Sequence, residues 1–169
     1  MGGGAGKGTS EKQIAPQASQ IPAPLNREDD QRDPRNLGTA AADRFADWQY
    51  PVIEDGKPTK YNWVVQHKDN LRLGYKTDIG AFTYINAKYG VTIEDHVQIG
   101  SHCAVYSVST IDNKTGPVVL KRNCRIGTHS TIMPGVTVGE NAVVGGHSFV
   151  NRNVGEGAVV VGVPAKGRW

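Results

Sequence analysis

Residues 120–150 read LKRNCR-IGTHST-IMPGVT-VGENAV-VGGHSF-V, with aliphatic side chains at Leu120, Ile126, Ile132, Val138, Val144 and Val150. A fixed period is stronger evidence for architecture than any local propensity. Working outward, the six-residue spacing also links Ile93, Ile99, Val105 and Ile111, and before them Leu73, Ile79 and Ile85, which makes thirteen hexads. Two positions ahead of each aliphatic stands a smaller or medium residue: Leu71, Thr77, Thr83, Val91, Val97, Cys103, Ser109, Val118, Cys124, Ser130, Val136, Ala142 and Ser148. Both sets are expected to face inward. The residue after the aliphatic is often glycine (Gly74, Gly80, Gly100, Gly127, Gly139, Gly145), which tolerates a tight corner.

A period of six suits neither a 3.6-residue helical stripe nor a meander with turn clusters every 8–12 residues. It suits a short strand plus a corner. Three such units make a triangular coil of about 18 residues, and coils stacked at roughly 4.8 Å align equivalent side chains in ladders. The expected fold is therefore all-β, a parallel β-helix of about four and a third turns. Cys103 and Cys124 fall on inward small positions, so they read as reduced core thiols.

The units Ile126-Gly127-Thr128-His129-Ser130-Thr131 and Val138-Gly139-Glu140-Asn141-Ala142-Val143 resemble the hexapeptide-repeat acyltransferase family, over about Leu71 to Lys166. The resemblance implies a left-handed coil, an exception to the right-handed crossover rule. The closing segment Val160-Val161-Gly162-Val163-Pro164-Ala165-Lys166 is similar to the family's carboxy-terminal signature, with Val163 where Asn is usual. By the same resemblance, acetyl-CoA lies in a groove between two subunits of a homotrimer. Backbone groups of the late coils (Gly145, Gly146, Gly162, Pro164) would follow the pantetheine arm, with Arg152 and Lys166 near the phosphates.

The rest of the chain reads differently. Residues 1–44 hold six basic and six acidic side chains, three prolines before Asp30 and no valine, too little apolar area to offset ordering entropy. They are expected to be flexible or partly helical. Gly2 to Thr9 imitates a phosphate-binding loop, but Met1 stands where its first glycine belongs and Gly8 follows Lys7 where Ser or Thr is needed. Residues 45–70 read as a hairpin or cap, with Asp55-Gly56 as the turn between Pro51-Val52-Ile53 and Tyr61 to Val65. Phe45, Trp48, Tyr50, Tyr61 and Trp63 could cap the first coil, line a cleft or cover the open end. The β-helix domain then runs over 71–169.

Composition bounds the function. With 169 residues, net charge +3, 38% hydrophobic residues and no apolar run long enough to cross a bilayer or act as a signal, a cytoplasmic protein is expected. Asp112 to Trp169 carries seven basic and three acidic residues, which favours a ligand with several phosphates. Nucleic acid is a poor rival, because interleaved aromatics are lacking.

His96, His102, His129 and His147 each stand three residues after an inward aliphatic, so they point outward. Counting hexads puts only His129 and His147 on one face, one coil apart. Their pairing marks a candidate site, against the plainer reading of solvated side chains. Two interruptions, Lys88 to Gly90 and Asp112 to Pro117, read as insertions of two and three residues, and such loops commonly build sites on a rigid solenoid. Several relatives in the family place a histidine just before the long loop. The matching stretch here, Tyr106 to Asp112, has none. A hydroxyl acceptor needs a positioned base, whereas an amine with a pKa near 8 is already partly nucleophilic, so the departure favours N-acylation. Val105 to Met133 also resembles the sugar-nucleotide amine acetyltransferases of surface-polysaccharide pathways.

The expected activity is thus acetyl-CoA-dependent transfer to an amino sugar, the acceptor being a small molecule that is nucleotide-linked. His129 would accept the proton or orient the acceptor, His147 would neighbour it, and Asp112 with Asn113 would serve the substrate loop. Alternatives are an O-acetyltransferase of the same fold, a γ-type carbonic anhydrase-like zinc enzyme gathering histidines across an interface, and a scaffold trimer without catalysis.

Overall fold

The computed structural model describes residues 45–167, so the expectations for 1–44 fall outside the described residues. Short strands form three parallel ladders, the three faces of a left-handed parallel β-helix. The first face stacks Val64–Gln66, Tyr84–Asn86, Ala104–Tyr106, Thr131–Ile132 and Phe149–Val150. The second stacks Leu71–Leu73, Val91–Ile93, Val118–Leu120 and Thr137–Val138, extended by a Val138 to Val154 bridge. The third stacks Asp78–Ile79, Gln98–Ile99, Arg125–Ile126, Val143–Val144 and Val159–Val161, and Lys166–Gly167 closes it antiparallel to the last.

Register follows the hexads. Ile85 pairs with Val105, Val105 with Ile132 and Ile132 with Val150, so each inward aliphatic stacks on the next. The second inward set is buried as well, from Leu71 through Cys103 and Cys124 to Ser148, with Ser130 fully buried. Burial of these thin valine and isoleucine rows against one another, at roughly 25 cal/mol per Å2 of apolar surface, drives the fold. Trp63, 2% exposed, joins the core where the column begins.

Two expectations need correcting. Ile111 is 97% exposed and Ser109 is only half-buried, so neither belongs to a coil. Fifteen residues separate Val105 from Leu120, where one hexad needs six. The insertion is therefore a nine-residue excursion rather than three, and it folds on itself as a hairpin of Val108–Ser109 against Lys114–Thr115. The second concerns residues 45–70. The column already starts at Val64, which pairs with Tyr84. The turn before it is closed at Thr59 to Trp63, through Thr59 N–H to Trp63 O and Asn62 N–H to Thr59 O, both 2.9 Å. Asp55-Gly56 turns too, but Gly56 N–H bonds Val65 O at 2.7 Å, and no strand forms over Pro51 to Ile53.

Candidate active site

The corner between the third and first faces holds the candidate site. In successive coils it reads Gly100-Ser101-His102, Gly127-Thr128-His129 and Gly145-Gly146-His147. Each histidine adopts a left-handed backbone, with φ of 58°, 59° and 55°. Its N–H bonds the carbonyl of the coil below: Ala81 for His102, Ser101 for His129 and Thr128 for His147, at 2.9–3.0 Å. Asparagine and histidine tolerate this conformation better than most residues, so the corner itself favours this residue type. Strand stacking then sets the ring spacing. His102 and His129 stack at 4.8 Å with 2° between their planes, and His129 and His147 at 4.7 Å with 9°. Phe82 extends the column, 5.0 Å from His102.

His102 was expected on another face. The hexad count includes Ile111, and with Ile111 outside the coils the phase brings His102 onto the column. His96 lies on the corner between the second and third faces, 6.4 Å from the Tyr75 ring.

His129 is distinguished within the column. Its Nδ1 lies 3.0 Å from Thr128 Oγ1, whereas His102 and His147 have no side-chain hydrogen bond among the described residues. Parallel rings aim their in-plane lone pairs side by side, so no two of these imidazoles converge on one point. Within one chain, therefore, the column does not chelate a single ion.

Beside this corner the third face forms an open groove of about 460 Å3, lined by Gln98, Arg125, Gly127, Thr128, Gly145 and Gly146 among others. Arg125 was not singled out from the sequence. Its side chain lines the groove, and among the described residues its buried Nε has no hydrogen-bond partner. The signal was present as an outward position on a strand, but nothing in the sequence separates it from any other surface arginine.

The remaining expected residues divide between corners. Gly162, Pro164 and Lys166 lie in the closing turn and strand over the same region: Phe149 N–H bonds Gly162 O at 3.0 Å, and Gly162 N–H bonds Ser148 Oγ at 3.1 Å. Arg152 does not join them. It follows the first face at Phe149–Val150 and stands at the corner between the first and second faces. Asp112 is at that other corner too, on the hairpin, 2.8 Å from Lys114 Nζ. Hydrogen bonds from Lys114 first and Ser109 second hold its carboxyl below the ordinary value. Within one chain, then, His129 and His147 come together and Asp112 stands apart.

The hairpin is anchored at its foot. Buried Ser107 donates from Oγ to Asn86 O at 2.8 Å and accepts the Tyr89 N–H at 2.9 Å. Nearby on the first face, the Tyr84 and Tyr106 rings sit 5.8 Å apart and Tyr84 Oη bonds Gln66 Oε1. A second cavity of about 350 Å3 lies where Phe45, Trp48, Tyr61 and Trp63 meet Asp78 and Thr77, with the Trp48 indole N–H on Thr77 O at 2.8 Å.

These features define a hexapeptide-repeat β-helix with a polar corner beside a glycine-lined groove. The bacterial transferase hexapeptide (six repeats) family matches residues 117–152, so the chain carries the repeat of the family it resembles. Over 87 residues it is 34% identical to the galactoside O-acetyltransferase of Escherichia coli (strain K12), a match covering 46% of this chain and 43% of that protein. The chain thus spans less than half the length of this curated relative. A hexapeptide-repeat acetyltransferase from Vibrio cholerae O1 biovar eltor, solved with acetyl coenzyme A, superposes with a TM-score of 0.59 at 27% identity, covering 63% of each chain. An N-acyltransferase from Bacillus cereus, solved as a mutant with dTDP and coenzyme A, shares the fold at 23% identity and TM-score 0.54, covering 66% of this chain and 78% of that one.

Proposed function

We propose that this protein is an acetyl-CoA-dependent N-acetyltransferase, acting in the cytoplasm on the amino group of a nucleotide-linked amino sugar in surface-polysaccharide biosynthesis. The observation that carries the reading is the histidine column standing directly beside the glycine-lined groove and Arg125. Acetyl and coenzyme A complexes among the similar structures support a thioester donor for that groove. The donor would lie along Gly127, Gly145 and Gly146, where the absence of side chains lets it approach the backbone. Arg125 and Lys166 would face its phosphates. Arg152, on the other corner, would serve this donor only if it reaches it from a neighbouring subunit.

A homotrimer solves the separation of Asp112 from His129. With corners of neighbouring copies apposed, the Val108–Thr115 hairpin of one subunit would bring Asp112 and Asn113 towards the acceptor beside the histidine column of the next. The acceptor amine attacks the thioester carbonyl carbon, and late-coil N–H groups stabilise the developing oxyanion. His129 accepts the proton that the nitrogen loses, the carbon–sulfur bond breaks, and the thiolate leaves to be protonated as coenzyme A. His147 supports the His129 ring from its other side.

O-acetylation remains a second reading, favoured by the E. coli relative. Against it, the stretch Tyr106 to Asp112 lacks the histidine that the resemblance places before the long loop, which leaves His129 as the base on offer, and an amine asks less of a base than a hydroxyl does. The test is a set of amino-sugar nucleotides and their hydroxyl counterparts, each with acetyl-CoA, following thiol release. Turnover is expected with an amine only, and His129→Ala should lower kcat about 100-fold or more. Turnover confined to hydroxyl acceptors would overturn the N-acyl reading, and an unchanged kcat would remove His129 from the mechanism.

A further inference from the structure

We infer that Thr128, itself oriented by Ser101, is a positioning residue that sets the tautomer of His129 and so makes its Nε2 the proton-accepting atom. The inference rests on the reading of His129 as the proton acceptor and specifies how that residue is prepared for the task.

Donor bookkeeping leads there. A threonine hydroxyl has one proton and two lone pairs. Thr128 Oγ1 lies 2.7 Å from Ser101 O, and a carbonyl only accepts, so the hydroxyl proton is committed to that bond. Two further polar atoms approach the same oxygen: Ser101 Oγ at 3.2 Å and His129 Nδ1 at 3.0 Å. With its proton used, Thr128 Oγ1 meets both as an acceptor. Ser101 Oγ therefore donates to it, and so does His129 Nδ1, which must carry hydrogen.

In a neutral imidazole with Nδ1–H, the lone pair resides on Nε2. The opposite tautomer would set two lone pairs against each other across 3.0 Å. The ring is also held in a stack, with His102 and His147 flanking it at 4.8 and 4.7 Å in nearly parallel planes. His129 therefore has one nitrogen tethered to the coil and the other free to take a proton, the arrangement a general base needs. Among the described residues neither neighbour in the column has such a tether, which singles out His129 for the role. The chain of bonds runs between coils, from Ser101 in one to Thr128 and His129 in the next, so the ladder of the fold itself aligns the base.

The experiment uses the full-length chain with 15N-labelled histidine, the His129 signals being assigned by their loss in His129→Gln. The expected spectrum shows Nδ1 protonated and Nε2 unprotonated at a pH where the ring is neutral. Thr128→Val keeps the side-chain shape, removes the acceptor, and should shift the ring towards a tautomer mixture. It should also lower kcat about tenfold, the loss of one orienting hydrogen bond, with KM little changed. Thr128→Ser should restore both the spectrum and the rate. A His129 tautomer that is unaltered in Thr128→Val overturns the inference. A tautomer that shifts while kcat stays unchanged sinks the catalytic consequence and with it the role of His129 as base, leaving the donor and acceptor assignments untouched.

Discussion

Where glycine follows an inward aliphatic at the corner after the third face, it is required by the distance between coils rather than by its own φ. At Gly80, Gly100 and Gly127 a β-carbon would stand 2.4, 2.6 and 2.4 Å from the backbone nitrogen of Ser101, Thr128 and Gly146 respectively, one coil further on. Backbone cannot yield as a flexible side-chain end can, so Gly127→Ala must push two coils apart at the corner that holds His129. A destabilisation of about 1–3 kcal/mol is expected, read as a fall in melting temperature of roughly 3–10 °C for a domain of this size. Gly155→Ala is the control: nothing lies within 4 Å of its β-carbon, and its melting temperature should stay unchanged. Equal curves for wild type and Gly127→Ala would mean that the corner is looser than its geometry. The cysteines belong to the same layer of packing. Burial raises both thiols, Cys124 to about 12, and Cys103 Sγ lies 3.2 Å from Gly127 O, so they behave as the core residues their inward positions implied.

At the scale of elements, the hairpin Val108–Thr115 is held at its tip by a surface ion pair, Asp112 with Lys114. Asp112 is solvent-exposed, yet hydrogen bonds from Lys114 and then Ser109 place its folded pKa below the ordinary 3.8. For a carboxyl depressed on folding, the stabilising effect is complete above the ordinary value and disappears as pH falls through the lowered one. Exchange protection of the hairpin amides, corrected for intrinsic rates, should therefore hold steady near neutrality and weaken only under acid below 3.8. Asp112→Asn should abolish that dependence, and an acid loss that persists in the variant would assign it to another group. The hairpin also shows how far the sequence could be read. The coils were legible because each buried row repeats at a constant separation, and twelve of the thirteen hexads keep it. Ile111 obeyed the spacing by accident: its side chain is exposed, and the pairs Val108 with Thr115 and Ser109 with Lys114 take it out of the column. That miscount moved His102 off its corner and hid a third of the column. Asp55-Gly56 misled for a related reason, since a turn signal says that the chain reverses but not which strands it joins. Arg125 was illegible altogether, because its isolation depends on burial by the neighbouring coils, and Arg152 was misplaced because a resemblance conveys charge without conveying the corner it occupies.

At the scale of the whole molecule, two of the column's corners and one of its faces each do something different. The one between third and first faces carries the imidazoles, the one between first and second carries the hairpin with Arg152, and the groove runs along the third face. No helix among the described residues is long and apolar enough to cross a membrane. A single column keeps its histidines and its Asp112 on separate edges, so the proposed chemistry requires more than one copy. The particle in solution should accordingly weigh about three times the 18.2 kDa chain. A donor that binds the folded protein and not the unfolded chain adds about 2.7 kcal/mol of stability at 100 times its Kd, and the proposed function expects this of acetyl-CoA. That corresponds to a rise in melting temperature of roughly 5–10 °C. Arg125→Gln should shrink this rise by weakening the hold on the donor's phosphates, while leaving the melting temperature without donor close to wild type, because the Nε it removes has no partner among the described residues. The same rise in both proteins would exclude Arg125 from the donor groove. A monomer whose melting temperature acetyl-CoA does not change would remove both the shared site and the donor from the account, whatever the histidine column does.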